Sequence, residues 1–268
     1  MTKTFSIDPV QLIATLTEIT SAYPGFEWES DRWKRDSRLR SPYRVLVLFG
    51  LSPRTRDGLL VDLCRRFFCR FPGSQGLAKQ GEDFQECVKA IVRQSQVPFV
   101  LSLSQVLADR GSVPKTKEEL LKINGVGHKV AECALAYGWG EDALPLDANV
   151  YRVLNRIHGD GARPSECTGE LRELLKCLYQ KHRSEFASQS ITMVDIHEIL
   201  RLHGQVCCIR KPDCAACPVS QCRSRLVDSN PTNGQLIPPG FWDDWRELLL
   251  EPDSGAMPEN SGLETQLS

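Results

Sequence analysis

At 268 residues, with 41% hydrophobic and 25% charged side chains, the chain is long enough for one large or two small globular domains. No apolar run approaches the roughly 20 residues of a membrane-crossing helix, which excludes a spanning protein of that kind and predicts no membrane partner. The net charge of −1 hides a partition: residues 226–268 hold one arginine and eight acids, a net of −7, so residues 1–225 carry +6, a modestly basic body suited to phosphate.

The chain reads as helical almost throughout, because apolar residues recur at helical rather than alternating spacing. A first helix spans Pro9 to Ser21, and Ser41 to Phe49 is a strongly apolar, buried helix. Thr55 to Phe71 is amphipathic, with Leu59, Leu60, Leu63, Phe67 and Phe71 facing inward. Further helices cover about Asp83 to Ser95 and Leu101 to Asp109. Between these two, Pro98 must break or redirect the chain. After the central motifs, helices follow at Cys167 to Lys181 and Ile191 to Leu202. The tail beyond 225 is rich in Pro, Gly, Ser and Asn and predicts disorder, with one short helix from Phe241 to Leu250.

The chemistry concentrates in the middle. Thr116-Lys-Glu-Glu119 reads as a reciprocal capping box opening a short helix, and Asn124-Gly125 ends it. Gly125-Val126-Gly127 is then a turn, and His128 begins a second helix running to Tyr137. Amides freed by glycine at a helix N-terminus bind phosphate oxygens, with Val126 plugged into the core. The same glycines would also serve a plain turn between helices. Lys129 shares a strip of this second helix with Cys133 and Ala136, small residues that leave room beside its amine. A lysine in a cleft can act as a nucleophile and form a Schiff base, whereas a solvated one would do nothing of the kind. Asp147 precedes an amphipathic helix with Val150, Val153, Leu154 and Ile157 inward, so it is a natural N-cap, and Pro145 stiffens its approach.

Downstream, five of the eleven cysteines fall between Cys207 and Cys222. The N-terminal residues lack the apolar run of a secretory signal, so the chain is expected in the cytoplasm with its cysteines as metal ligands rather than disulfides. Only one Cys-x-x-Cys pair occurs, Cys214 and Cys217. The flanking single cysteines favour an iron–sulfur cluster in one compact loop over the paired knuckles of zinc.

Hairpin, aspartate and cysteine loop, in that order, resemble the endonuclease III family of helix-hairpin-helix DNA glycosylases over residues 40 to 222. The family's Gly-Val-Gly-x-Lys stands here at Gly125 to Lys129, and its Asp-x-x-Val-x-Arg-Val at Asp147 to Val153. The resemblance implies an all-α, two-lobed fold. Residues 46–158 would form a helical barrel with the hairpin at about 116–138, and residues 1–45 would join 159–225 as the [4Fe–4S] lobe. It implies a monomer acting on double-stranded DNA, associated with the nucleoid. Lys129 would attack C1′ of the damaged nucleotide, Asp147 would stabilise the developing positive charge, and β-elimination would nick the strand. Gly125, Val126, Gly127 and His128 would hold phosphate, as would Arg210 and Lys211 in the cysteine loop. Arg54 stands where the family has a gap-filling Gln, as either a gap filler or a phosphate contact, and Asp57 would be a cap or brace. Oxidised pyrimidines are the family's usual substrates. The cluster spacing Cys-x6-Cys-x2-Cys-x5-Cys is not kept. Loop length favours Cys207 as first ligand, distance from His203-Gly204 favours Cys208, and the last interval, Cys217 to Cys222, is one residue short. The segment Ser95 to Leu101 also departs from the family's Gly-aromatic-x-x-Lys element. Two other readings remain at this point: a monofunctional mismatch or alkylated-base glycosylase, and a non-catalytic DNA-binding module.

Overall fold

The computed structural model describes residues 6–23, 28, 41–53, 55–159, 168–225 and 248–249. Arg54, Cys167, the side chain of Asp57 and all of the tail except Leu248 and Leu249 lie outside the described residues. Among those described, every regular element is a helix.

Helix α1, Pro9–Ser21, starts where expected: the Asp8 carboxylate accepts the Val10 N–H at 3.0 Å and proline occupies the first turn. Helix α2, Pro42–Leu51, is capped by Ser41 and buried from Tyr43 to Leu51, so it has no solvated face and forms the axis of a first core. Helix α3, Asp57–Arg70, buries Leu60, Leu63 and Phe67, with Phe71 just beyond its end. Leu59, expected inward, is instead 54% exposed because it lies beside that stripe rather than on it. Helices α4 (Ser74–Ala78) and α5 (Phe84–Ile91) follow. The latter stops short of Ser95 at a turn closed by Gln96 N–H donating to the Arg93 carbonyl at 2.8 Å.

Helix α6, Val97–Arg110, begins earlier than Leu101 because Pro98 occupies its first turn, where a missing N–H costs nothing. This moves Phe99 into the core. A Cβ on Gly50 would lie 2.1 Å from the Phe99 ring, and one on Gly125 would lie 3.0 Å from the Phe99 Cβ. The segment that departs from the family pattern therefore wedges α2 against the hairpin.

The hairpin comprises α7 (Lys117–Leu120) and α8 (His128–Cys133), the latter continuing as a π-helical turn over Ala134–Trp139. Then come α9 (Ala148–His158), α10 (Thr168–Lys181), α11 (Arg183–Ser188) and α12 (Met193–Val206). Apolar side chains divide into two cores. The first gathers α2 to α8 and receives Leu248 and Leu249, with the Leu248 carbonyl accepting from Arg44 Nη1 at 2.9 Å. The second gathers α1, Leu144 to Ile157 and α10 to α12. Helix α9 thus belongs by packing to the second core although it follows the hairpin in sequence. It crosses α12 at Gly204, where a Cβ would come within 2.9 Å of the Asn149 Cβ.

The cores are tied by a buried ion cluster. Glu132 of α8 is 1% exposed and meets Lys117 at 2.7 Å, Arg172 of α10 at 2.9 Å and Lys176 at 3.8 Å. Removing one partner of a buried ionic group leaves the others desolvated and uncompensated. Glu132→Ala is expected to lower unfolding free energy by about 3 kcal/mol, read as a lower urea midpoint.

Candidate functional site

The hairpin is built locally as its sequence dictates. The Thr116 hydroxyl accepts the Glu119 N–H at 3.3 Å. The reciprocal half of the expected box is absent, because the Glu119 carboxylate turns to Arg110 at 2.8 Å. Gly125 takes the left-handed backbone at φ +82, the conformation that ends the first helix. Val126 plugs the core at 6% exposure and donates its N–H to the Ile123 carbonyl at 3.0 Å. Gly127 is an extended N-cap, and Gly125, Gly127 and His128 are exposed. The turn is further pinned by Asn124 N–H donating to Ser102 Oγ at 3.0 Å.

One residue further along, Lys129 is half-buried, with its Nζ 5.3 Å from the centroid of the Phe49 ring. Phe49 stacks on Tyr137 at 5.7 Å, so the amine rests on an aromatic wall. Cys133 sits close by at full burial, which pushes its thiol up to about 12 and leaves it inert, as its sequence position suggested.

Asp147 faces this lysine from the start of α9. One carboxylate oxygen accepts the N–H groups of Asn149 at 2.8 Å and Val150 at 2.9 Å, the N-cap geometry expected. The other oxygen lies 3.9 Å from Arg201 Nε, with only 10% of the Asp147 side chain exposed. Burial opposes ionisation, but the charges of Lys129 and Arg201, with the Val150 N–H, favour it and hold the carboxyl below its usual range. His197 is fully buried, and burial pushes its imidazole down to about 3, so the ring is neutral and donates Nδ1–H to the Pro145 carbonyl at 2.6 Å. The balancing cations are therefore Lys129 and Arg201. A primary amine on an apolar wall beside a carboxylate held below its usual range can attack an electrophilic carbon while the carboxylate stabilises positive charge or takes a proton.

The cysteine loop begins at the end of α12, whose C-cap is Cys207. Two arginines of α9 grip it. Arg152 donates to the Gly204 carbonyl at 2.6 Å and to that of Cys208 at 2.8 Å. Arg156 reaches the Cys208 sulfur at 3.3 Å and the carbonyls of Ile209 and Arg210 at 2.6 and 3.0 Å. The Cys222 thiol donates to the Arg156 carbonyl at 3.5 Å, and the Cys207 thiol to the Asp213 carbonyl at 3.3 Å. The donor atoms of His203, Cys207 and Cys217 lie within 4.8 Å of one another. The Cys207 thiol and the His203 imidazole bond to the Cys217 sulfur and hold that thiol down at about 4, the deprotonated state that metal binding requires. A group of thiol donors this soft can bind metal. Arg210 and Lys211 are exposed on the loop's outer side.

The structure therefore places Lys129 near enough to Asp147 for their charges to interact, and gathers the five loop cysteines at one end of α12. Arg54 lies outside the described residues. Sequence reasoning missed Phe49, Arg152, Arg156, His197 and Arg201. For the last two a signal exists: polar residues four apart on a helix otherwise lined by Ile196, Ile199, Leu200 and Leu202 face inward with the apolar stripe.

The all-helical fold around this hairpin is that of the helix-hairpin-helix DNA glycosylases. An endonuclease III from Thermotoga maritima is 35% identical over 150 residues, covering 54% of this chain and 70% of its own. A thymine-DNA glycosylase from Aeropyrum pernix is 24% identical over 185 residues, covering 67% of this chain and 80% of its own. Among solved structures, a trapped endonuclease III–DNA covalent intermediate superposes with a TM-score of 0.64 at 22% identity, covering 82% of this chain and 97% of that one. No family model matches the chain. The chain belongs to the endonuclease III family.

Gly125→Ala forces a Cβ into a left-handed backbone and against Phe99. It should cost about 1–2 kcal/mol in urea unfolding, whereas Gly127→Ala, at φ −93 with open space around it, should cost less than half as much.

Proposed function

We propose that this chain removes an oxidised pyrimidine from double-stranded DNA through Lys129 and then cuts the abasic strand. Its family makes it a base-excision repair enzyme that is both DNA glycosylase and abasic-site lyase. The observation that supports the residue assignment is the electrostatic proximity of Lys129 to Asp147, whose carboxylate caps α9 and is held below its usual range. In intact duplex neither side chain could reach C1′, so the damaged nucleotide must leave the stack. The Lys129 amine then bonds to C1′ as the glycosidic bond breaks and its electron pair leaves with the base. Asp147 stabilises the positive charge on the sugar during departure and accepts the proton shed by the amine. The sugar ring then opens: the nitrogen lone pair forms the C1′=N bond as the C1′–O4′ bond breaks and O4′ takes up a proton. The resulting protonated Schiff base acidifies the C2′ hydrogens, and loss of one expels the 3′ phosphate.

Phosphate is held by the exposed backbone of Gly125, Gly127 and His128 at the start of α8, with Arg210 and Lys211 as further contacts. Cys214, Cys217 and Cys222 supply three ligands of a [4Fe–4S] cluster. The fourth is Cys208, whose sulfur takes a donor from Arg156 as ligating thiolates commonly do; Cys207, whose sulfur lies beside the Cys217 sulfur and the His203 ring, is the alternative. When bound, the cluster cross-links this loop through iron–thiolate bonds and so fixes where Arg210 and Lys211 stand.

A second reading is kept because a thymine-DNA glycosylase is among the relatives: a monofunctional mismatch enzyme in which Lys129 binds phosphate only. Borohydride trapping on a duplex with one abasic site separates the two. Wild type should form a covalent adduct and Lys129→Ala none, with DNA affinity within a few-fold. An adduct retained by the variant would remove Lys129 from the role, and no adduct with either would favour the monofunctional reading. Affinity should fall linearly with log salt, in proportion to the phosphates neutralised; a flat response argues against phosphate-led binding. Cys208→Ser should lose iron and sulfide while Cys207→Ser keeps both, and the reverse result would exchange the two assignments.

A further inference from the structure

We propose that Arg201 is a positioning residue for this reaction, its guanidinium fixing the charge and orientation of the Asp147 carboxylate beside Lys129. The inference rests on the catalytic reading given above and extends it to a residue of α12.

The Asp147 carboxylate is held from two sides. One oxygen is fully engaged by the Asn149 and Val150 amides at 2.8 and 2.9 Å, which sets its direction from within α9. The second oxygen has no such amide and meets Arg201 Nε at 3.9 Å, with 6% of the arginine side chain and 10% of the aspartate side chain exposed. At that distance the contact is one of charge rather than a hydrogen bond. It acts in a poorly hydrated site, where charge contacts are strong. Arg201 is carried by the middle of α12 between Leu200 and Leu202, both fully buried. A guanidinium among apolar side chains is costly unless paired, and the Asp147 carboxylate is among the groups that meet this charge.

The other groups facing Asp147 cannot take over this task. Lys129 and Cys133 approach from α8. The lysine must lose its proton to react, so its charge is absent at the moment of attack, and the cysteine thiol is neutral, pushed up to about 12 by burial. His197 comes from α12 and is neutral as well, pushed down to about 3 by burial. Arg152 stands on α9 itself, but its guanidinium is directed to Asn149, Gly204 and Cys208. Arg201 is the cation whose charge persists while the Lys129 amine is neutral. It keeps Asp147 anionic when a cation develops on the sugar, and His197 holds the approach from behind through Pro145 at 2.6 Å.

The test is the rate of borohydride trapping on an abasic duplex between pH 5 and 8.5, for the purified full-length protein with Arg201→Met and Arg201→Lys. The readout is the ratio of variant to wild-type rate at each pH. For Arg201→Met the ratio should fall by about tenfold for each unit of pH below the raised Asp147 value, and recover toward pH 8. Arg201→Lys, which keeps the charge, should hold a ratio that varies by less than about threefold across the range. A ratio independent of pH in Arg201→Met, or the same profile in both variants, overturns the proposal. A second measurement does not depend on catalysis: carbon-13 NMR of the Asp147 carboxyl between pH 4 and 8, assigned with Asp147→Asn. Wild type should show no titration in this window and Arg201→Met a clear one; identical curves overturn the proposal. If wild type fails to trap while the carboxyl titration shifts as expected, the catalytic reading fails and the hold of Arg201 on Asp147 stands.

Discussion

A carboxylate that is nine-tenths buried must be met by hydrogen bonds and cations, and the junction between the two lobes is arranged around that requirement. Asp147 satisfies it with the first amides of α9, with Lys129 from the hairpin and with Arg201 from α12. Each partner belongs to a different element, so the charge cannot be moved without disturbing three helices at once. Glu132 repeats the device on the other side of α8, where Lys117, Arg172 and Lys176 surround one carboxylate. Helix α8 therefore carries two charged groups that need the second core, Lys129 on one strip and Glu132 on another. The cleft between lobes is fixed by paired charge as well as by apolar packing. For a site where small displacements of a nucleophile cost rate, that rigidity is useful.

Much of this was legible in the sequence, and the parts that were not have a common cause. Local signals read correctly: α1 began at Pro9, Gly125 took the left-handed turn, Val126 plugged inward, and Asp147 capped α9. These depend on residues within four of one another. Misreadings arose where a distant partner decided the outcome. Glu119 left its capping box for Arg110, a partner contributed by another helix. Pro98 was correctly seen as a break, yet which side of it would be helical depended on Phe99 finding space beside Gly50 and Gly125. Leu59 is exposed because the neighbours of α3 cover only one stripe of it.

The candidate site divides in the same way. Lys129, Asp147 and the cysteines stand in motifs and were found by them. Arg201, His197, Arg152 and Arg156 act across lobes or between α9 and the loop, and no local spacing announces their partners. What the sequence does offer is a contradiction: charged or polar residues at inward positions of apolar helices. Arg152 and Arg156 are four apart on α9, and His197 and Arg201 are four apart on α12. Each pair lies on the strip where the two helices meet. A buried polar residue demands a partner, so such a pair points to a site before the partner is known.

The crossing of α9 and α12 then becomes more than packing. Asp147 caps the start of α9, while the same helix grips the cysteine loop through Arg152 and Arg156. Helix α12 holds Asp147 through Arg201 and Pro145 through His197, and it ends at Cys207. The carboxylate and the loop are thus joined by two helices in contact, and Gly204 lets them approach closely enough that a methyl group would collide with Asn149. Whatever stiffens the loop stiffens the frame that orients Asp147, through backbone and guanidinium contacts alone. That gives the loop a mechanical connection to Asp147. It also accounts for why the donors that grip the loop are arginines: each guanidinium spans several carbonyls in fixed geometry, which a lysine cannot do.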